Sequence, residues 1–264
     1  MRFLKPLFLV TATLMGSAAI HAFGAQITAT FNGHFISFVG EITQSDVGAL
    51  EKLLPKAERY DYILPRTLDV DSPGGDWDAA MRIGRLLRRS LAEVSVADDA
   101  KCLSACVLLL AGAPTRTLLR RPLIGIHRPY SGSTVPISIE DAQKNYRILE
   151  DSTRAYLREM NMSDALFEAM VRIPPEKMRI LTNQEISEFR LDQTDPALQE
   201  VADTDEAMRW NLTKREYLAR KERVSRTCDR LLPFNDPPSA GVKSYGEKVK
   251  SYYACKDAIM SGQH

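Results

Sequence analysis

The chain switches repeatedly between the two-residue apolar period of strands and the 3.6-residue period of helices. The stretch "QITATFNGHFISFVGEI" (26–42) reads as two short strands around Asn32-Gly33, a hairpin dipeptide. Then "SDVGALEKLLPKA" (45–57) predicts a helix capped by Ser45, with Leu50, Leu53 and Leu54 on its apolar side. "YILPRTLDVD" (62–71) is β-like, although Pro65 blurs its start. After the turn residues "SPGG", Ala80, Ile83, Leu86 and Leu87 recur at helical spacing. "EVSVAD" (93–98) and "PLIGIHRP" (122–129) are strands, and the unbroken apolar run "SACVLLLAGA" (104–113) is a buried helix. This alternation predicts an α/β core with mostly parallel strands.

A long helix comes next over 138–161, where Ile139, Ala142, Tyr146, Leu149, Thr153, Tyr156 and Met160 form one stripe. "SDALFEAMVRI" (163–173) is a further helix stopped by Pro174-Pro175, and "TNQEISEFRLD" (182–192) is a short one. Beyond about residue 200 apolar positions thin out and charge rises. Asp203 with Glu206 resembles a capping box opening a charged helix, and "PFNDPPSAGVKSYG" (233–246) reads as loop. The expected organisation is therefore an α/β domain over 26–200 and a helical extension over 201–264.

The first 22 residues form a separate unit. Arg2 and Lys5 precede an apolar stretch from Pro6 to Ile20, and small residues surround Ala22 and Ala25, the layout of a secretory signal. Its apolar part is shorter than the ~20 residues that span a bilayer, which disfavours an uncleaved anchor. Export, most simply to a bacterial periplasm, makes the four cysteines disulfide candidates. Cys228 with Cys255 is the favoured pair, because both lie in a polar region in need of a staple. Cys102 and Cys106 either pair or remain buried thiols. Charge is nearly balanced, at +1 overall, so neither nucleic-acid binding nor a polybasic membrane patch is implied. No His/Cys spacing matches a zinc site, and no cofactor is implied.

Three stretches carry the chemistry: "DSPGG" (71–75), "CLSACVLLLAG" (102–112) and "IGIHRPYSG" (124–132). Each alone is ordinary turn, cap or core material. Together they match the parts of acyl transfer. Ser104 would begin a helix, where backbone N–H groups favour developing negative charge. Ala105 supplies the amide directly after the nucleophile, and Gly75 a second amide unobstructed by a side chain. Such a donor is typically worth ~3 kcal/mol in the transition state. His127 is the candidate general base, since His21 lies in the signal, His34 in the hairpin and His264 at the terminus. Cys106 as nucleophile would sit inside the helix, and Lys101 as a Ser-Lys base competes with His127.

These stretches, in this order, resemble the proteolytic subunit of the Clp protease within the Clp/crotonase superfamily, over roughly residues 36–192. The resemblance implies a spiral of βαβ units carrying the C-terminal helical extension. It also implies that Ser104 and His127 are the catalytic pair and that Gly75 and Ala105 are the oxyanion donors. It continues into "MRILTNQEISEFRLD" (178–192), near the family's third triad member, where this chain places Met178 in the acid's position and Glu176, Asn183 and Glu185 off register. The expected activity is an exported, ATP-independent serine peptidase acting on peptides or unfolded protein, since no phosphate-binding "GxxxxGK[ST]" is present. The alternatives are a catalytically silent fold that binds peptides or serves as a scaffold and, more remotely, acyl-CoA chemistry. By the same resemblance, a homo-oligomer is expected.

Overall fold

The computed structural model describes residues 24–56, 66–130, 136–231 and 241–263. The signal expected over 1–22 lies outside them. The hairpin forms as read, with β1 (Gln26–Thr30) antiparallel to β2 (Phe35–Val39) and Gln26 opposite Val39. Helix α1 (Gln44–Leu53) starts earlier than expected, because Thr43 and not Ser45 caps it, in a reciprocal capping box with Asp46. Next come β3 (Thr67–Asp71), α2 (Trp77–Arg89) capped by the Asp76 carboxylate, and β4 (Glu93–Val96). Three strands escaped the sequence reading: β5 (Lys101–Leu103), β6 (Thr115–Leu118) and the two-residue β8 (Arg179–Ile180). Between them lie α3 (Cys106–Gly112) and β7 (Leu123–Ile126).

The main sheet has the order β1-β2-β3-β4-β6, parallel from β2 onward, and a small second sheet has the order β5-β7-β8. Between β2 and α1, and between β3 and α2, the chain makes only single bridges, Ile42 to Gly75 and Ser72 to Cys102. The chain is thus a spiral. Each turn runs through a main-sheet strand, a short segment of a second layer, and a helix. The turns are β2–Ile42–α1, β3–(Ser72, Gly75)–α2, β4–β5–α3 and β6–β7–α4, where α4 spans Ile139–Glu159. The α/β class, the spiral of βαβ units and the helical extension match the sequence reading.

The stripe expected along α4 is buried only in its C-terminal half, at Thr153, Tyr156 and Leu157. Its first turns stand off the core, leaving Ile139 80% exposed. Helices α5 (Ala165–Val171) and α6 (Asn183–Glu188) close the main core, and Thr182 caps the latter. The Asp203–Glu206 box does not occur. Helix α7 (Pro196–Arg209) begins earlier, capped by Asp195, and Asp203 sits mid-helix, buried, bonded to Gln199 and Lys221. Helix α8 (Lys214–Cys228) is next. Helix α9 (Gly241–Ser261) begins inside the stretch read as loop. Together α7, α8 and α9 enclose a second small apolar cluster of Ala207, Tyr217, Val224, Ile259 and Met260, crossed by the Cys228–Cys255 disulfide. No helix among the described residues is long and apolar enough to cross a membrane.

Candidate active site

The spiral explains why three short motifs from distant parts of the chain meet. Gly75, Ser104 and His127 each sit just where the second-layer segment ends, in consecutive turns. Strands β5 and β7 are parallel with Leu103 opposite Gly125, and the Ser104 N–H donates to the Gly125 carbonyl at 2.8 Å. Ser104 and His127 therefore emerge at the same ends of adjacent strands.

Ser104 does not begin the helix as expected. It adopts a left-handed conformation with φ 55°, and α3 starts two residues later at Cys106. A non-glycine residue in this region is uncommon and stores strain that its surroundings must offset. Here a disulfide joins Cys102 in β5 to Cys106 at the start of α3, bracketing Ser104. Both sulfurs are fully buried and bonded, so Cys106 is not available as a nucleophile. Ser104 itself is half-buried.

The two glycines of "SPGG" serve different purposes. A Cβ on Gly74 (φ 101°) would lie 2.7 Å from the Leu103 carbonyl and 2.7 Å from the Ser104 Cβ, so the missing side chain lets the turn rest against the nucleophile. A Cβ on Gly75 (φ 142°) would strike the Ile42 backbone at 2.3 Å, closing off the bridge between the two chain segments. The Ser72 hydroxyl accepts from the Gly74 N–H at 3.1 Å and fixes the turn. The Ala105 N–H directly follows Ser104, and the Gly75 N–H belongs to the turn whose Gly74 rests against Ser104; among the described residues neither amide donates a backbone hydrogen bond.

His127 is buried, only 7% exposed, and its Nδ1 lies 2.8 Å from the Arg128 carbonyl oxygen. A carbonyl can only accept, so Nδ1 carries the proton and Nε2 is the ring nitrogen left to exchange one with Ser104. The Arg128 N–H in turn donates to the Ile173 carbonyl at 2.8 Å, tying this segment to the end of α5. Strand β8 runs antiparallel to β7 with Ile126 opposite Arg179, so continuing the register sets Met178 opposite His127. Its side chain is 41% exposed, and its Sδ would meet a Cβ on Gly125 at 2.9 Å. Among the described residues, no hydrogen bond joins Glu176, Asn183 or Glu185 to His127. Glu185 caps α6 through Thr182 and pairs with Arg179, and the Thr182 N–H holds its carboxyl below the usual range. Among the described residues no hydrogen bond joins Ser104 to His127, as is common in unliganded active sites.

Sequence reading missed the clamp behind the nucleophile. Two arginines take the last carbonyls of α3. Arg116, only 4% exposed, donates to Leu110, Ala111, Arg190 and Gln193, and burial lowers its pKa to about 10, still charged at neutral pH. Arg88 donates to Gly112 and Met160 and pairs with Asp195 at 3.0 Å. Orphan carbonyls at a helix end need such donors. A basic residue three positions after an apolar run was the sequence hint. Gly84 and Gly112 bring α2 and α3 into backbone contact, since a Cβ on Gly112 would fall 2.4 Å from the Gly84 Cα. The Tyr156 hydroxyl donates to the Leu108 carbonyl beside this crossing, and burial raises its pKa.

Next to His127 lies an apolar pocket of about 450 Å³. It is walled by Pro129 and Tyr130 on one side and by Ala142, Tyr146 and Leu149 of α4 on the other, with Arg128 among its lining residues. The standing-off of α4 opens this space. The Tyr130 ring packs 5.8 Å from the His127 ring, linking pocket and base.

No family model matches the sequence, and no curated protein does. Among solved structures, a ClpP1 mutant from Listeria monocytogenes is similar in part, at 18% identity and a TM-score of 0.46, covering 61% of this chain and 89% of that one.

Proposed function

We propose that the chain is an exported, ATP-independent serine peptidase acting on peptides or unfolded protein. The supporting observation is the junction itself: Ser104 held left-handed between two bonded cysteines, with His127 at the end of the neighbouring strand in the tautomer a general base requires. Ser104 Oγ attacks the scissile carbonyl while His127 Nε2 takes its proton, and the Gly75 and Ala105 amides receive the oxyanion. His127 then returns the proton to the leaving amine, and water completes hydrolysis. An apolar substrate side chain seats in the pocket beside Tyr130 and Tyr146. The two disulfides support an oxidising compartment. Residues 26–200 form the catalytic domain and 201–264 the stapled extension, in a homo-oligomer.

An activated phosphonate should label the mature protein at Ser104, and Ser104→Ala and His127→Ala should each abolish labelling. Absence of label on folded protein would overturn this reading in favour of the second one, a silent peptide-binding scaffold. The observation favouring that second reading is Met178 opposite His127, where a carboxylate would otherwise orient the ring. In the silent case, Ser104→Ala leaves peptide binding and cellular role intact.

A further inference from the structure

We infer that the Arg128 side chain makes this pocket selective for an apolar residue with a carboxylate beside it. The inference rests on the pocket being the substrate site proposed above. Among the described residues lining the pocket, Arg128 is the single cation, and no acid lines it. Glu176, next to pocket-lining Pro175, pairs with no described residue, while several other acids on the surrounding elements have partners. Glu150 and Glu168 pair with Arg154, Asp141 accepts from Ser138 at the start of α4, and Glu185 pairs with Arg179. No described residue forms an ion pair with Arg128. An exposed guanidinium that pairs with no acid among the described residues, on the lining of an apolar cavity, supplies a planar donor fork matched to a carboxylate.

The backbone fixes where this charge sits. The Arg128 N–H is held by Ile173 and its carbonyl holds His127, so the root of the side chain lies one peptide from the base. Arg128 also reaches electrostatically across the pocket to Tyr146, where burial and Glu150 raise the phenol and the Arg128 charge opposes them. A carboxylate entering with an apolar side chain thus meets positive charge on the β7 side. The carboxylate comes either from an acidic side chain next to the apolar residue or from the free C-terminus of a chain ending in one.

Matched fluorogenic peptides carrying Leu flanked by Glu, Gln or Lys test this, together with an otherwise neutral peptide ending in Leu as competitor. Wild type should prefer the Glu peptide over the Lys peptide by about five-fold at low salt, with the preference collapsing at high salt. Arg128→Gln should flatten the preference and Arg128→Glu should reverse it. Competition by the free C-terminal carboxylate, lost on amidation, assigns the second source; competition unchanged by amidation excludes it, and the Glu-over-Gln preference of the internal peptides then assigns the side chain. Fluorescence anisotropy of the same peptides on Ser104→Ala protein separates binding from chemistry. Acid preference in binding without turnover in wild type keeps the pocket assignment and sinks the catalytic reading. Identical ratios in wild type and Arg128→Glu overturn the assignment, even if Ser104 is reactive.

Discussion

The two halves of the candidate site are built to different standards. The nucleophile half is overdetermined. Ser104 is bracketed by a disulfide, α3 behind it is clamped by two arginines, and α2 meets α3 backbone to backbone. The base half rests on less. His127 is oriented by one backbone carbonyl, has Met178 opposite it by the continued β7–β8 register, and adjoins a helix whose first turns leave the core. The contrast locates the chain's strain and its stiffness together: the strained conformation at Ser104 survives because everything around it is fixed, whereas an imidazole with one carbonyl needs only a correct tautomer.

The difference between the halves should give way most severely at Arg116. Arg116→Leu strands four carbonyls, and it should cost about 3 kcal/mol or more, read as a lower urea midpoint. An unchanged midpoint would mean that the clamp does not stabilise the nucleophile half. Next, replacing Cys102 and Cys106 together by Ala should cost about 2 kcal/mol on the chain-entropy model and slow phosphonate labelling of Ser104 while leaving peptide affinity alone. Equal labelling rates would show that the left-handed turn holds without its cross-link. Met178→Asp probes the weaker half, placing a carboxylate opposite His127. It should accelerate labelling about tenfold at neutral pH, and no acceleration would mean that the Arg128 carbonyl already suffices.

The smallest effect lies at Asp195. Burial would push its carboxyl up, but hydrogen bonds from Arg88 and the Ala197 N–H leave it below the usual carboxylate range. Its contribution is fully present above the unfolded value near pH ~4 and fades as pH falls through the lower folded value. The gap in melting temperature between wild type and Asp195→Asn should therefore narrow below that pH. A constant gap down to pH ~2 would assign the stabilisation to packing alone.

The spiral's motif order and most helices were legible because each rests on local signals: Asn32-Gly33 for the hairpin, the spacing of Ala80, Ile83, Leu86 and Leu87 for α2, and the unbroken run for α3. Strands β5 and β8 escaped because three and two residues carry no period, and only the neighbouring β7 makes them strands. The Asp203–Glu206 spacing misled because a carboxylate that caps in isolation here found Lys221 on another helix. The candidate residues Ser104 and His127 could be named from the sequence, and the structure places them at the ends of adjacent strands, but the carbonyl beside His127 Nδ1 could not be named. A main-chain carbonyl leaves no residue-type signature. Neither could the roles of Arg88 and Arg116, whose partners lie on carbonyls far along the chain.

Because Gly75, Ser104 and His127 sit at matching places in successive turns, their mutual spacing is set by strand ladders and not by the length of chain between them. Extra residues inserted after α3, or between β4 and β5, would bulge outward and leave the three junctions where they are, at a small loop-closure cost. A single residue inserted between Leu103 and Ser104 would shift the pleat by one, turning the hydroxyl to the opposite face and stretching the cysteine bridge. Tolerance to length change should thus map the molecule: permissive along the outer returns, forbidding at the three junctions.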